Sequence, residues 1–202
     1  MDNASECGSH LLTLINNLLD LTRLRSGKTK AKFSRFSIHG FVETIVNEMR
    51  SFRPDAHIMM QTVFEPDDFE ITADPQMLRQ IIYNLLSNAL KFSPPDSRII
   101  VRVQKMGESK QMRLGITDEG IGIAQEDLER IFNEFEQIEN PMTKKRSGTG
   151  LGLPIVKKLT ELHHGTISLQ SELGKGTEAI LLLPLEQEAS SIGTADTVQQ
   201  GV

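Results

Sequence analysis

The chain has 202 residues, 38% hydrophobic and 24% charged, an ordinary soluble globular composition with room for one sizeable domain and an appendage. A formal net charge of −5 argues against a nucleic-acid binder, whose footprint is a basic surface. The single cysteine, Cys7, excludes an intrachain disulfide and fits a reducing, cytoplasmic compartment, and no apolar run approaches the ~20 residues of a membrane span.

Residues 10–26 place Leu11, Leu14, Ile15, Leu18, Leu21 and Leu24 at three-and-four spacing, which predicts an amphipathic helix stopped by Gly27. Such a lone helix with an apolar stripe pairs with another copy, swaps, or packs on its own domain. The basic stretch 28–32 reads as a boundary, giving a first unit at 1–28. Residues 33–37 predict a short strand, with Ser37 capping a helix whose apolar face is Ile38, Phe41, Val42, Ile45, Val46 and Met49. Strands are expected over 57–64 and 69–73. Asp74-Pro75 opens a long helix reaching about Phe92, with a carboxylate cap and a proline in the first turn.

Residues 99–104 and 112–117 alternate as an antiparallel pair around Gly107. A short helix is expected at 125–132, a mobile loop at 136–150 and a helix at 151–162. Strands at 166–170 and 177–183 close a main domain of 29–185, and the small, polar stretch 186–202 reads as a flexible tail or linker. Strands and helices come in clusters. That favours an α+β two-layer sandwich, a mixed sheet with helices on one face, over a doubly wound parallel sheet.

Three stretches carry chemistry. In the long helix Asn84, Asn88 and Lys91 share one face, while Ile81, Ile82, Leu85, Leu86 and Leu90 cover the other. An asparagine carbonyl is a neutral oxygen ligand for magnesium, and Lys91 suits phosphate charge. A plain solvated helix face has the same pattern. Asp118-Glu-Gly120-Ile-Gly122 follows a strand, so its carboxylate can accept from an exocyclic amine while the glycines let the backbone close on a flat ligand. A simple turn reads equally well. Ser147-Gly148-Thr149-Gly150-Leu151-Gly152 runs into a helix, where free amides and the helix dipole favour an anion, and Lys144-Lys145-Arg146 lies just upstream. Its spacing matches neither a dinucleotide fingerprint nor a P-loop.

Order and spacing sharpen these weak signals. Asn84…Asn88…Lys91-Phe92, Asp118-x-Gly120-x-Gly122, Phe132-x-x-Phe135, Gly148-x-Gly150-x-Gly152 and Gly174-x-Gly176-Thr177 together resemble the N, G1, F, G2 and G3 boxes of the sensor histidine kinases. These belong to the superfamily that includes gyrase and heat-shock protein 90, and the likeness covers roughly residues 33–184. The resemblance implies a Bergerat-type fold binding ATP with Mg2+. It implies that Asn88 is the magnesium ligand, that Asn84 and Lys91 reach phosphate, and that Phe92 packs near adenine. Asp118 would accept from the adenine amino group in a pocket shaped by Gly120 and Gly122, with Thr177 supporting the adenine side. Phe132 and Phe135 would anchor a lid, while Arg146 and the Gly148, Thr149, Gly150, Leu151 and Gly152 backbone close over the phosphates.

Residues 10–28 resemble the second helix of that family's dimerisation and phosphotransfer hairpin, without the acid-flanked phosphoacceptor histidine of the first. His10, His39, His57, His163 and His164 lack such a context and read as surface or capping residues. The implied function is the Mg-ATP-binding catalytic domain of a two-component histidine kinase, donating its γ-phosphate to a histidine absent from this chain. Implied partners are the phosphoacceptor hairpin, a response-regulator receiver domain and a second copy through the N-terminal helix. The alternatives are a non-catalytic nucleotide-binding module and an anti-sigma-type serine kinase.

Overall fold

The computed structural model describes residues 2–27, 29–51, 56–138 and 149–187. The apolar stripe near the N-terminus forms one helix, α1 (Asp2–Arg25), extending further upstream than its leucine pattern. Gly27 ends it in the left-handed conformation with φ +66°. Strand β1 (Ser34–Ser37) leads into α2 (Ile38–Arg50), followed by β2 (Met59–Glu65), β3 (Glu70–Ala73) and α3 (Pro75–Phe92). Strands β4 (Arg98–Met106) and β5 (Gln111–Asp118) form the expected hairpin. After the loop come α4 (Gly152–Leu162), β6 (Thr166–Glu172) and β7 (Gly176–Pro184).

β1 and β3 pair antiparallel as a small separate sheet. The main sheet runs β2-β4-β5-β7-β6, with β2 and β4 parallel and every other pair antiparallel. Its helix-facing rows carry the strands' alternating apolar residues: Val103, Leu114, Leu181 and Ile167 form one, and Val101, Ile116, Ala179 and Leu169 the next. Ile45, Met49, Leu78, Ile82, Leu86, Ile155 and Leu159 of α2, α3 and α4 are buried in the same core. The opposite face carries a polar ladder. Gln104 donates to Glu65 at 2.8 Å, Arg113 donates to Gln104 at 3.3 Å, and Arg113 pairs with Glu178 at 2.6 Å. This is the expected mixed sheet with its helical layer.

Local expectations fare unevenly. The Asp74 cap forms as read, its Oδ1 accepting from the Gln76 and Met77 amides at 3.0 Å each. Ser37 occupies the cap position of α2 without capping it. Its hydroxyl donates to Asp68, and the Asp68 carboxylate accepts the His39 amide at 3.2 Å. The β1–β3 pairing brings this stronger acceptor to the helix start. Residues 125–132 form two 3-10 turns, Gln125–Asp127 and Arg130–Phe132, in place of one helix. Only Ile131 among them is buried, too little to hold an amphipathic stripe against the core.

His163 bears out the capping half of its reading, at the C-cap of α4, but it is fully buried and not a surface residue. Its Nδ1 donates to the Leu159 carbonyl at 2.8 Å, which leaves Nε2 to accept the Asp74 amide at 3.1 Å. Burial depresses its pKa, consistent with a neutral ring. His39 packs against Phe64 with ring centroids 4.4 Å apart and the rings tilted by 55°, and His57 turns the chain at φ 49°.

Of the three fates open to α1, packing on its own domain is realised along part of its length. Leu21 is buried, Gln80 donates to Asp20 at 3.0 Å, and Arg25 pairs with Glu134 at 2.6 Å. Leu11, Leu12, Ile15, Leu18 and Leu19 remain exposed. No described helix is long and apolar enough to cross a membrane. The loop expected to be mobile and the expected tail fall mostly at 139–148 and 188–202, outside the described residues.

Candidate nucleotide-binding site

Between α3, α4 and the sheet lies a cavity of about 570 Å³, within the range that holds small ligands and cofactors. The buried stripe of α3 turns Asn84, Asn88 and Lys91 together into it, half-buried, with Phe92 at the helix end. Lys91 Nζ lies 4.9 Å from the Phe92 ring centroid, and burial lowers its pKa. Gly152 opens α4 opposite. A Cβ there would stand 3.6 Å from Asn84 Oδ1, so the missing side chain leaves the approach to the helix start open.

Asp118 and Thr177 are cross-strand partners at the open end of β5 and β7, and both line the cavity. Antiparallel partners share a face, so the two polar side chains stand side by side. Burial pushes the Asp118 carboxyl up to about 6, while hydrogen bonds from the Gly120 and Thr177 amides hold it down. Gly120 stands behind this carboxylate, its amide donating to Oδ1 at 2.8 Å. Gly122, with φ +68°, needs its lack of a side chain, because a Cβ would lie 2.0 Å from the Glu172 carbonyl oxygen. The loop after Asp118 is thereby pressed on the β6–β7 turn, where the Gly174 amide donates to the Ile121 carbonyl at 2.7 Å.

Other expected residues divide. Thr149 and Gly150 line the cavity, and the Thr149 hydroxyl accepts the Leu151 amide at 3.2 Å. Leu151 is a core residue with no exposure, so only its backbone is available to a ligand. Pro154 lacks an amide hydrogen, which leaves Gly152 and Leu153 as the first donors of α4. Phe135, exposed at φ 62°, bonds through its amide to the Gly150 carbonyl at 3.1 Å, while Phe132 faces Lys157 on the α4 side. Arg146 and Gly148 fall outside the described residues.

Motif reading missed the apolar walls. Ile116, Ile121, Ile123, Leu169 and Ala179 line the cavity next to the polar Asp118–Thr177 pair. It also missed Asn17 of α1, which lines the cavity and donates to Thr149 at 3.4 Å. No local pattern marks Asn17, because its position depends on how α1 docks. Among the described residues no group of three or more His, Cys, Asp or Glu could hold a metal ion alone. One amide carbonyl on α3 suits a hard cation that keeps water and phosphate oxygens as its other ligands, so the donor set fits magnesium carried by a nucleotide.

An apolar-walled cavity with the polar Asp118–Thr177 pair at one edge and a glycine-opened helix start is a geometry suited to a nucleotide. Comparison with known proteins identifies the family. Residues 73–187 match the family described as histidine kinase-, DNA gyrase B- and HSP90-like ATPase, and the chain belongs to this family. It is 36% identical over 187 residues to the non-motile and phage-resistance protein of Caulobacter vibrioides, matching 92% of this chain and 22% of that protein. It is 34% identical over 180 residues to the histidine protein kinase DivJ of the same species, matching 89% of this chain and 30% of DivJ. The crystal structure of full-length ShkA in complex with AMPPNP superposes with a TM-score of 0.78 at 28% identity, covering 92% of this chain and 38% of that one. The chain thus spans 22% and 30% of the length of these two curated relatives. It carries an ATP-binding catalytic domain of the histidine-kinase type.

Proposed function

We propose that this domain serves a cytoplasmic two-component sensor kinase, binding Mg-ATP and presenting its γ-phosphate to a histidine on a helix outside this chain. One observation carries the reading: Asn84 and Asn88, Asp118 and Thr177, and Gly150 and Gly152 come from distant parts of the chain, yet line one cavity. In this reading the apolar walls take the purine, Asp118 accepts from its amine, and Lys91 and the Gly152 end of α4 face phosphate. Asn88 would hold magnesium through its side-chain oxygen, and the metal would supply charge neutralisation at the phosphates.

Phosphoryl transfer demands positioning and charge neutralisation more than covalent chemistry from the protein. A domain holding the donor without the nucleophile binds ATP and stays unphosphorylated. The exposed Leu11, Leu12, Ile15, Leu18 and Leu19 support pairing of α1 with a second copy, and a receiver domain is the onward acceptor. The test supplies γ-labelled ATP with and without a separate acid-flanked histidine hairpin. Acid-labile label is expected on the hairpin alone. Stoichiometric label on this chain, or none on any hairpin despite ATP binding, refutes the donor role.

A further inference from the structure

Ser171 lies outside every motif and does not line the cavity, yet three groups from two segments, the loop at Ile123 and the start of β7, converge on its hydroxyl. Its register partner across the β6–β7 ladder is Thr177, and Thr177 pairs in turn with Asp118 on β5. The three side chains therefore form one polar row across three strands, next to the apolar row Ile116, Ala179 and Leu169. Ser171 Oγ accepts the Ile123 amide at 2.8 Å and donates to the Gly176 carbonyl at 2.8 Å. It lies 2.8 Å from Thr177 Oγ1.

A serine hydroxyl has one proton and two lone pairs. The Gly176 carbonyl can only accept, so it takes that proton, and the Ile123 amide occupies one lone pair. The contact with Thr177 then requires Thr177 to donate into the remaining lone pair. Thr177 Oγ1 is left facing the cavity as an acceptor, beside the Asp118 carboxylate, which accepts when ionised.

We propose that Ser171 is a specificity-determining positioning residue: by taking the Thr177 proton it makes Asp118 and Thr177 a two-acceptor fork for both hydrogens of one exocyclic amine. This rests on the purine-nucleotide reading of the cavity. The fork repels a ring carbonyl at the same position, because neither acceptor can turn a proton toward it. Removing the Ser171 hydroxyl frees the Thr177 proton to point into the cavity, where it serves a carbonyl as well as an amine.

The test compares binding of ATP and of inosine triphosphate, which carries a carbonyl in place of the amine, by titration calorimetry on the full chain. Wild type favours ATP. Ser171→Ala narrows that preference roughly threefold to tenfold, the span of one hydrogen bond, and Ser171→Thr restores it. In a Thr177→Val background Ser171→Ala leaves the ratio where Thr177→Val put it. A purely structural Ser171, holding only the Ile123 loop, weakens both nucleotides equally, and an unchanged ratio in Ser171→Ala overturns the proposal. Should Ser171→Ala not fold, Ser171→Cys, with similar volume and weaker hydrogen bonding, reads the same ratio. Wild-type protein that binds neither nucleotide refutes the nucleotide reading; ATP-selective wild type with an unmoved Ser171→Ala ratio refutes this inference alone.

Discussion

Replacing Asp118 with asparagine is expected to stabilise the empty protein while weakening its hold on ATP. The carboxyl stands half-buried at the end of β5 against Ile116 and the apolar walls, and burial raises its pKa from 3.8 to about 6. That rise corresponds to roughly 3 kcal/mol of penalty on the ionised form in the folded state, an upper bound on what neutralisation recovers. The penalty is complete above the folded value of about 6 and absent below the unfolded value of 3.8. Thermal or urea unfolding without nucleotide should therefore show Asp118→Asn more stable than wild type near pH 7.5. That advantage should shrink as pH falls from about 6 toward 4.

Binding should move the opposite way. At pH 7.5 the variant loses about 1.5–3 kcal/mol of ATP affinity, the worth of a hydrogen bond to a charged group. The ratio of wild-type to variant affinity, in which titration of the nucleotide's own phosphates cancels, should fall about tenfold from pH 7 to pH 5 as Asp118 protonates. A stability difference independent of pH between 4 and 7.5, or equal ATP affinity in both proteins, would falsify the assignment of Asp118 as a buried acceptor for the base.

Asn88→Ala should remove magnesium-dependent tightening of ATP binding in calorimetry while leaving the melting transition near that of wild type, because the side chain lines the cavity and is not core. His163→Ala should cost about 2–4 kcal/mol in urea unfolding, since the Asp74 amide loses its buried acceptor and a cavity opens. The lowered His163 pKa adds stability that is full above the ordinary histidine value and drains as pH falls below it, and the variant should lack that slope. Gly122→Ala should lose about 2 kcal/mol or more of stability and weaken ATP at least roughly tenfold, because the added methyl meets the Glu172 carbonyl at a left-handed φ. Leu21→Ala should release α1, seen as faster amide exchange along the helix with nucleotide binding retained; unchanged exchange contradicts the docking of α1 through Leu21.

Much of this protein is legible as local pattern. The Asp74-Pro75 helix start, the α3 face of Asn84, Asn88 and Lys91, and the β4–β5 hairpin all follow from capping chemistry and periodicities of 3.6 and 2. These act over a few residues, and nothing distant overrode them. Order and spacing of the glycine motifs carried the family, although each motif alone reads as a turn or a solvated face.

Contacts between distant segments were decided elsewhere. Asp68, not Ser37, caps α2 because β1 and β3 pair; His163 is buried because the end of α4 meets the start of α3. Asn17 reaches the cavity because α1 folds back on α4. The polar row of Asp118, Thr177 and Ser171 exists only because the main sheet runs β5-β7-β6, an order that alternation along any one strand cannot encode. Side-chain periodicity names the face a residue occupies. The sheet order decides which residues share that face, and so which groups meet the ligand.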